Sequence, residues 1–189
     1  MSILFDNLSL NPIIASIKDL DNLEIALDSP CLNIFLLTGN IFNLKEISQR
    51  VKEKDKGLFI SVDCIDGFSK DTWGLEYIIK NIQLDGIISR KGNLIRLSKD
   101  MGVFTIEKMQ INDTESLNEG LSSIKNLRPH GIDISPGIMP KIIEQIVSET
   151  RIPVIASGLI SNKYDIDLAL KSGAIGISST DINTWYINY

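Results

Sequence analysis

The stretch "PVIASGLISNKYDIDLALKSGAIGISST", Pro153 to Thr180, decides the fold. It begins with a short apolar run and breaks at Gly158. It then passes through a segment of helical spacing and reaches a second apolar run, which ends in Ser178, Ser179 and Thr180. Strand, helix, strand in under thirty residues is a βα module, and a crossover of this kind joins parallel strands.

The same module repeats along the chain. β-rich runs are "PIIASI" (12–17), "NIFLLTG" (33–39), "GLFISVD" (57–63) and "GIIS" (86–89). The second half adds "VFTIEKM" (103–109), "GIDIS" (131–135), "PVIAS" (153–157) and "AIGIS" (174–178). Between them lie segments with helical spacing, such as Leu75, Ile78, Ile79 and Ile82, or Ile142, Ile143, Ile146 and Val147. Glycine, proline, aspartate or serine punctuates the junctions, as caps and turns require. Eight units in 189 residues give about 24 residues each, the size of a compact βα unit. A doubly wound open sheet has fewer strands and a glycine-rich first turn, which "IIASIKD" lacks. The fold expected is therefore a single compact (β/α)8 TIM barrel spanning residues 1–189. At this length the loops are short, so any site is built mostly from strand ends.

Composition bounds the function. The chain is 43% hydrophobic and 23% charged, which suits a globular domain with a full core. Its apolar runs fall short of a membrane span. The N-terminal "MSILFDNLSLN" lacks a basic region and a cleavage signature, so no signal peptide is expected. Cys31 and Cys64 share no metal-type or CxxC spacing; they read as buried thiols in a cytoplasmic protein. No metal-ligand cluster, GxSxG or Walker motif is present, and no cofactor is implied. His130 precedes the sixth strand, at the wrong end for a barrel active site, and reads as a surface residue.

In barrels the loops after the seventh and eighth strands often hold phosphate. Here Ser157, Gly158 and Leu159 end one strand, and Ser178, Ser179 and Thr180 the other. Glycine admits an anion to the backbone, hydroxyls donate to it, and a helix starting after Asp181 would add its positive end. Other strand ends carry polar pairs at period two: Ser61 and Asp63, Thr105 and Glu107, Asp133 and Ser135. Lys18, Lys91 and Lys108 follow or end further strands. These groups read either as an ion-pair network or as a polar pocket for the hydroxylated part of a phosphorylated ligand. Alternation forbids Glu107 and Lys108 from both facing inward.

The words "LLTGNIFNLKEI", "DGIISRKGNLI", "DISPGIMPKII", "IPVIASGLI" and "GISSTDINTW" together resemble the glycerol uptake operon antiterminator family, from about Asn11 to Trp185. The resemblance implies a barrel that regulates rather than catalyses. Its effector would be glycerol 3-phosphate, and its macromolecular partner a leader mRNA read past a terminator. Carried over by position, residues 157–159 and 178–180 hold the phosphate. Lys18, Asp63, Lys91, Lys108, Asp133 and Lys141 fall on the polar positions of the ligand pocket. The sequence departs from the pattern at Asn40, often aspartate, at Glu107-Lys108, where glutamine-arginine is expected, and at Ser157, usually glycine or alanine.

For RNA, the net charge of −5 is unhelpful over the whole surface, but charge is local. Arg90, Lys91, Arg96 and Lys99 form one strip; Lys45, Arg50, Lys52, Lys54 and Lys56 form another. Each reads as a nucleic-acid surface or as a solvated helix face. Trp73, Trp185, Tyr186 and Tyr189 are the aromatics available for base stacking. A homo-oligomer would align two basic strips. The alternative function is a small-barrel enzyme acting on a phosphorylated sugar or polyol.

Overall fold

The computed structural model describes residues 3–189. Eight parallel strands close into a barrel in chain order: β1 (Ile13–Ile17), β2 (Asn33–Leu36), β3 (Gly57–Ser61), β4 (Gly86–Ser89), β5 (Phe104–Gln110), β6 (Gly131–Ser135), β7 (Val154–Ser157) and β8 (Gly176–Ser179). β1 pairs with β8 through Ile14↔Ser178 and Ala15↔Ser179, which closes the ring and abolishes the sheet edge. This is the (β/α)8 barrel expected from the repeated module.

Both strand faces are apolar because both are covered. Ile13, Ala15 and Ile17 face outward with Ile34, Leu36, Leu58 and Ile60, packing against helices. Ile14, Phe35, Phe59, Ile88, Ile106 and Ile155 face the barrel interior. The helices are α1 (Ile3–Leu10), ahead of the first strand, and the outer layer α2 (Leu23–Asp28), α3 (Leu44–Glu53), α4 (Thr72–Asn81), α5 (Gly92–Asp100), α6 (Thr114–Leu127), α7 (Pro140–Thr150), α8 (Lys163–Lys171) and α9 (Ile182–Trp185). On α4 Leu75 and Ile78 are buried, and on α7 Ile143 and Ile146, as the helical spacing predicts. None of the helices among the described residues is long and apolar enough to cross a membrane.

α1 is not an outer helix. It caps the N-terminal end of the barrel, where Leu4 and Leu8 enter the inner layer and Phe5 meets Phe104 edge-on at 5.4 Å. Asn7 donates to Asn33 Oδ1 at 3.0 Å and ties the cap to the start of β2. A Cβ at Gly176 would lie 2.8 Å from Leu8, so glycine there makes room for the plug. With one end stoppered by side chains, only the C-terminal mouth is left open to a ligand.

Candidate functional site

The mouth holds a cavity of about 490 Å³, within the range of small-molecule sites. Its floor and walls are the last inward-facing residues of the strands and the turns that follow them. Ser16, Ser61, Lys108, Ser135, Ser157 and Ser178 contribute from six different strands. Lys18, Arg90, Gly158, Leu159, Thr180 and Asp181 line its rim.

The edge after β7 has an unusual backbone. Gly158 (φ 74) and Leu159 (φ 62) are consecutive left-handed residues. A leucine held there carries a cost of about 1 kcal/mol or more. The N–H groups of Gly158, Leu159, Ile160 and Thr180 donate to no acceptor among the described residues. Unpaired amides of residues that line one edge of a cavity are the material of an anion nest. Gly158 also has a structural reason to be glycine, since a Cβ would meet Ser135 Oγ at 2.7 Å.

The hydroxyls are more committed than the sequence suggests. Ser178 Oγ and Ser16 Oγ share a 2.6 Å hydrogen bond, and Ser157 Oγ donates to the Ile134 carbonyl. Ser179 Oγ accepts from the Asp181 N–H, and its carbonyl accepts from Trp185 Nε1 at 2.8 Å. Thr180 alone of the triplet is exposed. The helix expected to aim its positive end at the anion is α9, only four residues long, and the carboxylate of Asp181 already accepts from its Asn183 N–H. It contributes no anion site. The backbone amides, not the helix, are what this edge offers.

Of the six polar residues expected in the pocket, Lys18 and Lys108 line it. Lys108 Nζ donates to Asp133 Oδ2 at 2.8 Å. Asp133 is fully buried beneath it, with Oδ1 unpartnered. Asp63 does not face the cavity. It sits in a turn after β3, and its carboxylate accepts from Ser89 Oγ at 3.0 Å and from the Arg90 N–H at 2.6 Å. It therefore fixes the end of β4 and sets Arg90 at the rim. Lys91 precedes α5 and Lys141 sits in the first turn of α7; both are exposed and neither lines the cavity.

Between Glu107 and Lys108, the lysine faces inward. Glu107 points outward to α6, where Ser123 Oγ donates to it. Its other oxygen is buried without a partner, and burial raises its carboxyl above the usual range. Thr105 shares that outward face and meets His130, so this pair belongs to the barrel–helix layer, not to the mouth. His130 lies at the far end of β6 and is exposed. Its Nδ1 accepts the Thr105 N–H at 3.0 Å, and burial, with help from Lys99, lowers its pKa.

The two basic strips differ. On α3, Arg50 pairs with Glu24, Lys52 with Asp85 and Lys54 with Asp28. Lys56 is buried and donates to the carbonyls of Ala26, Ser29 and Cys31, capping α2. Apart from the exposed Lys45, that strip is spent on ion pairs and a helix cap. On the other strip Lys99 donates to the carbonyls of Leu127 and Arg128 and caps α6, the favourable place for a cation. Arg90, Lys91 and Arg96 remain exposed.

Two single-residue expectations change. Trp185 is fully buried between β8, β1 and α2, so it is not available to stack bases. Cys64 is exposed at the cavity wall; only Cys31 is buried, its thiol pushed up to about 11 by burial. Phe42, which the sequence did not single out, is 92% exposed near the mouth, and Trp73 is 76% exposed.

Comparison with known proteins follows the same fold and length. The family model described as glycerol-3-phosphate responsive antiterminator matches residues 13–185. A curated relative, the uncharacterized protein YgcP of Escherichia coli (strain K12), is 33% identical over 175 residues, covering 93% of this chain and 92% of its own. The solved glycerol uptake operon antiterminator regulatory protein from Listeria monocytogenes is 26% identical, with a TM-score of 0.87 over 90% of this chain and 92% of that one. A glycerol uptake operon antiterminator-related protein from Thermotoga maritima is 25% identical, with a TM-score of 0.82 over 92% and 96%.

Proposed function

Because the chain belongs to the glycerol-3-phosphate responsive antiterminator family, we propose that it is a cytoplasmic regulator whose mouth binds glycerol 3-phosphate and whose surface binds leader mRNA. The observation that carries the ligand half is the run of unpaired amides at Gly158–Ile160 and Thr180, on the one open end of the barrel. A phosphate accepts several such donors at once, and Lys18, beside β8 in the closed ring, adds a positive charge. Small strand-end residues (Ser157, Ser178, Thr180) keep the anion's approach clear. Lys108, held by the buried Asp133 beneath it, supplies a donor for the hydroxylated end.

The RNA half rests on the family and on Arg90, Lys91 and Arg96, the exposed cations around the β4–α5 junction. Trp73, at the start of α4, and Phe42, in the loop after β2, are exposed and offer faces for unpaired bases. The net charge makes binding local, which suits a ligand-gated contact more than a broad basic face. A leader transcript titrated against the protein, with and without glycerol 3-phosphate, tests this. Affinity should change by about tenfold or more with ligand and fall steeply with salt, because each lysine or arginine on a phosphate releases a counterion. Charge reversal at Lys91 and Arg96 should weaken RNA binding while calorimetric binding of glycerol 3-phosphate persists. Absence of RNA affinity in the liganded protein contradicts the regulator reading.

A further inference from the structure

The cations of the cavity stand on opposite walls. Lys18 follows β1, next to β8 and the unpaired amides. Arg90 follows β4, four strands from β8 in either direction around the closed ring. Eight strands spaced about 4.8 Å and tilted by about 36° enclose a ring roughly 15 Å across. An arginine side chain spans part of that width and leaves room for a ligand of a few carbons.

Arg90 differs from Lys108, the other cation on that side. Lys108 is committed to Asp133. Arg90 makes no ion pair among the described residues. The nearby carboxylate that serves it, Asp63, bonds its backbone N–H and Ser89, not its guanidinium. That bond holds the backbone of a residue that lines the cavity and leaves its planar fork uncommitted. A fork of this shape pairs two-pronged with carboxylate or phosphate. A neutral hydroxyl gains much less from it, and glycerol 3-phosphate leaves it without an anion.

We propose that the cavity takes a short phosphorylated ligand bearing a second anionic group, a carboxylate or another phosphate, which Arg90 holds across the mouth from the Gly158–Ile160 amides. This rests on the phosphate reading of the mouth given above, and it reassigns Arg90 from the RNA strip to ligand selection. Glycerol 3-phosphate is then a ligand that fills one end of the site.

Calorimetry of the full chain with glycerol 3-phosphate, 3-phosphoglycerate and propane-1,3-diol bisphosphate tests it, on wild type and Arg90→Gln. Wild type should bind one of the two doubly anionic compounds at least about tenfold tighter than glycerol 3-phosphate, from two charge-assisted hydrogen bonds. Whichever is preferred identifies the second group. In Arg90→Gln the ratio of affinities should fall to near one, at an unchanged melting temperature because the residue is exposed. Equal binding of all three in wild type, or a preference that survives in Arg90→Gln, overturns the proposal and leaves the phosphate reading intact. Binding of none of the three by folded wild type overturns both.

Discussion

Leu159→Asp is expected to lower the affinity for glycerol 3-phosphate by about two hundredfold without loss of fold. Leu159 is left-handed and its side chain is 70% exposed, so truncating it removes little packing. Aspartate tolerates the left-handed region better than leucine, which makes the variant equally stable or slightly more so. What changes is charge. A carboxylate about 5 Å from a single phosphate charge, at an effective dielectric of about 20, repels it by about 3 kcal/mol. The amides themselves are untouched. Gly158→Asp is a poorer probe, because its Cβ would collide with Ser135 and its backbone would be strained. Calorimetry together with a melting curve separates the two effects. Equal affinity in wild type and variant would mean that this edge only turns the chain.

Lys108→Met should destabilise the protein by about 3–5 kcal/mol. Asp133 is fully buried, and Lys108 Nζ is the only donor that its side chain has among the described residues. Methionine replaces the aliphatic stem but leaves a buried carboxylate uncompensated, the costly half of a broken ion pair. For a chain of this size the melting temperature should drop by at least about 6 °C. Adding Asp133→Leu should restore most of the loss, since a buried pair exchanged for apolar groups is near neutral. A single variant within about 1 kcal/mol of wild type would show that water satisfies Asp133, and that the pair is not structural.

The barrel was legible because its signal is repetition. "GIIS" and "GIDIS" are strands β4 and β6 to the residue, and the opening stretch is β7, α8 and β8 with short turns. α1 was not legible as a plug. Its eight residues have the same letters as a short outer helix, and only the closed ring creates the hole that Leu4 and Leu8 fill. The inward face of β5 was ambiguous for a physical reason. Both faces of a buried parallel strand are apolar, so period-two alternation does not say which polar residue turns to the mouth. Ser123 on α6 receives Glu107, and Asp133 on β6 draws Lys108, and neither partner is near in sequence.

The same limit applies to the basic residues. Lys56 and Lys99 look like members of charged strips, yet each caps the end of a helix brought to it by the fold. At the phosphate edge, glycine and hydroxyls drew attention to the right turn, but the hydroxyls are largely spoken for. Leu159 in the left-handed region and the unpaired amides around it are conformational features with no residue signature.

The central claim is that those amides bind a phosphate, and an amide chemical-shift titration with glycerol 3-phosphate tests it most directly. The account predicts saturable shifts at Gly158, Leu159, Ile160 and Thr180, while amides in the middle of α3 and α6 stay in place. Binding that leaves those four amides unmoved, or no saturable shift at any residue, would contradict it.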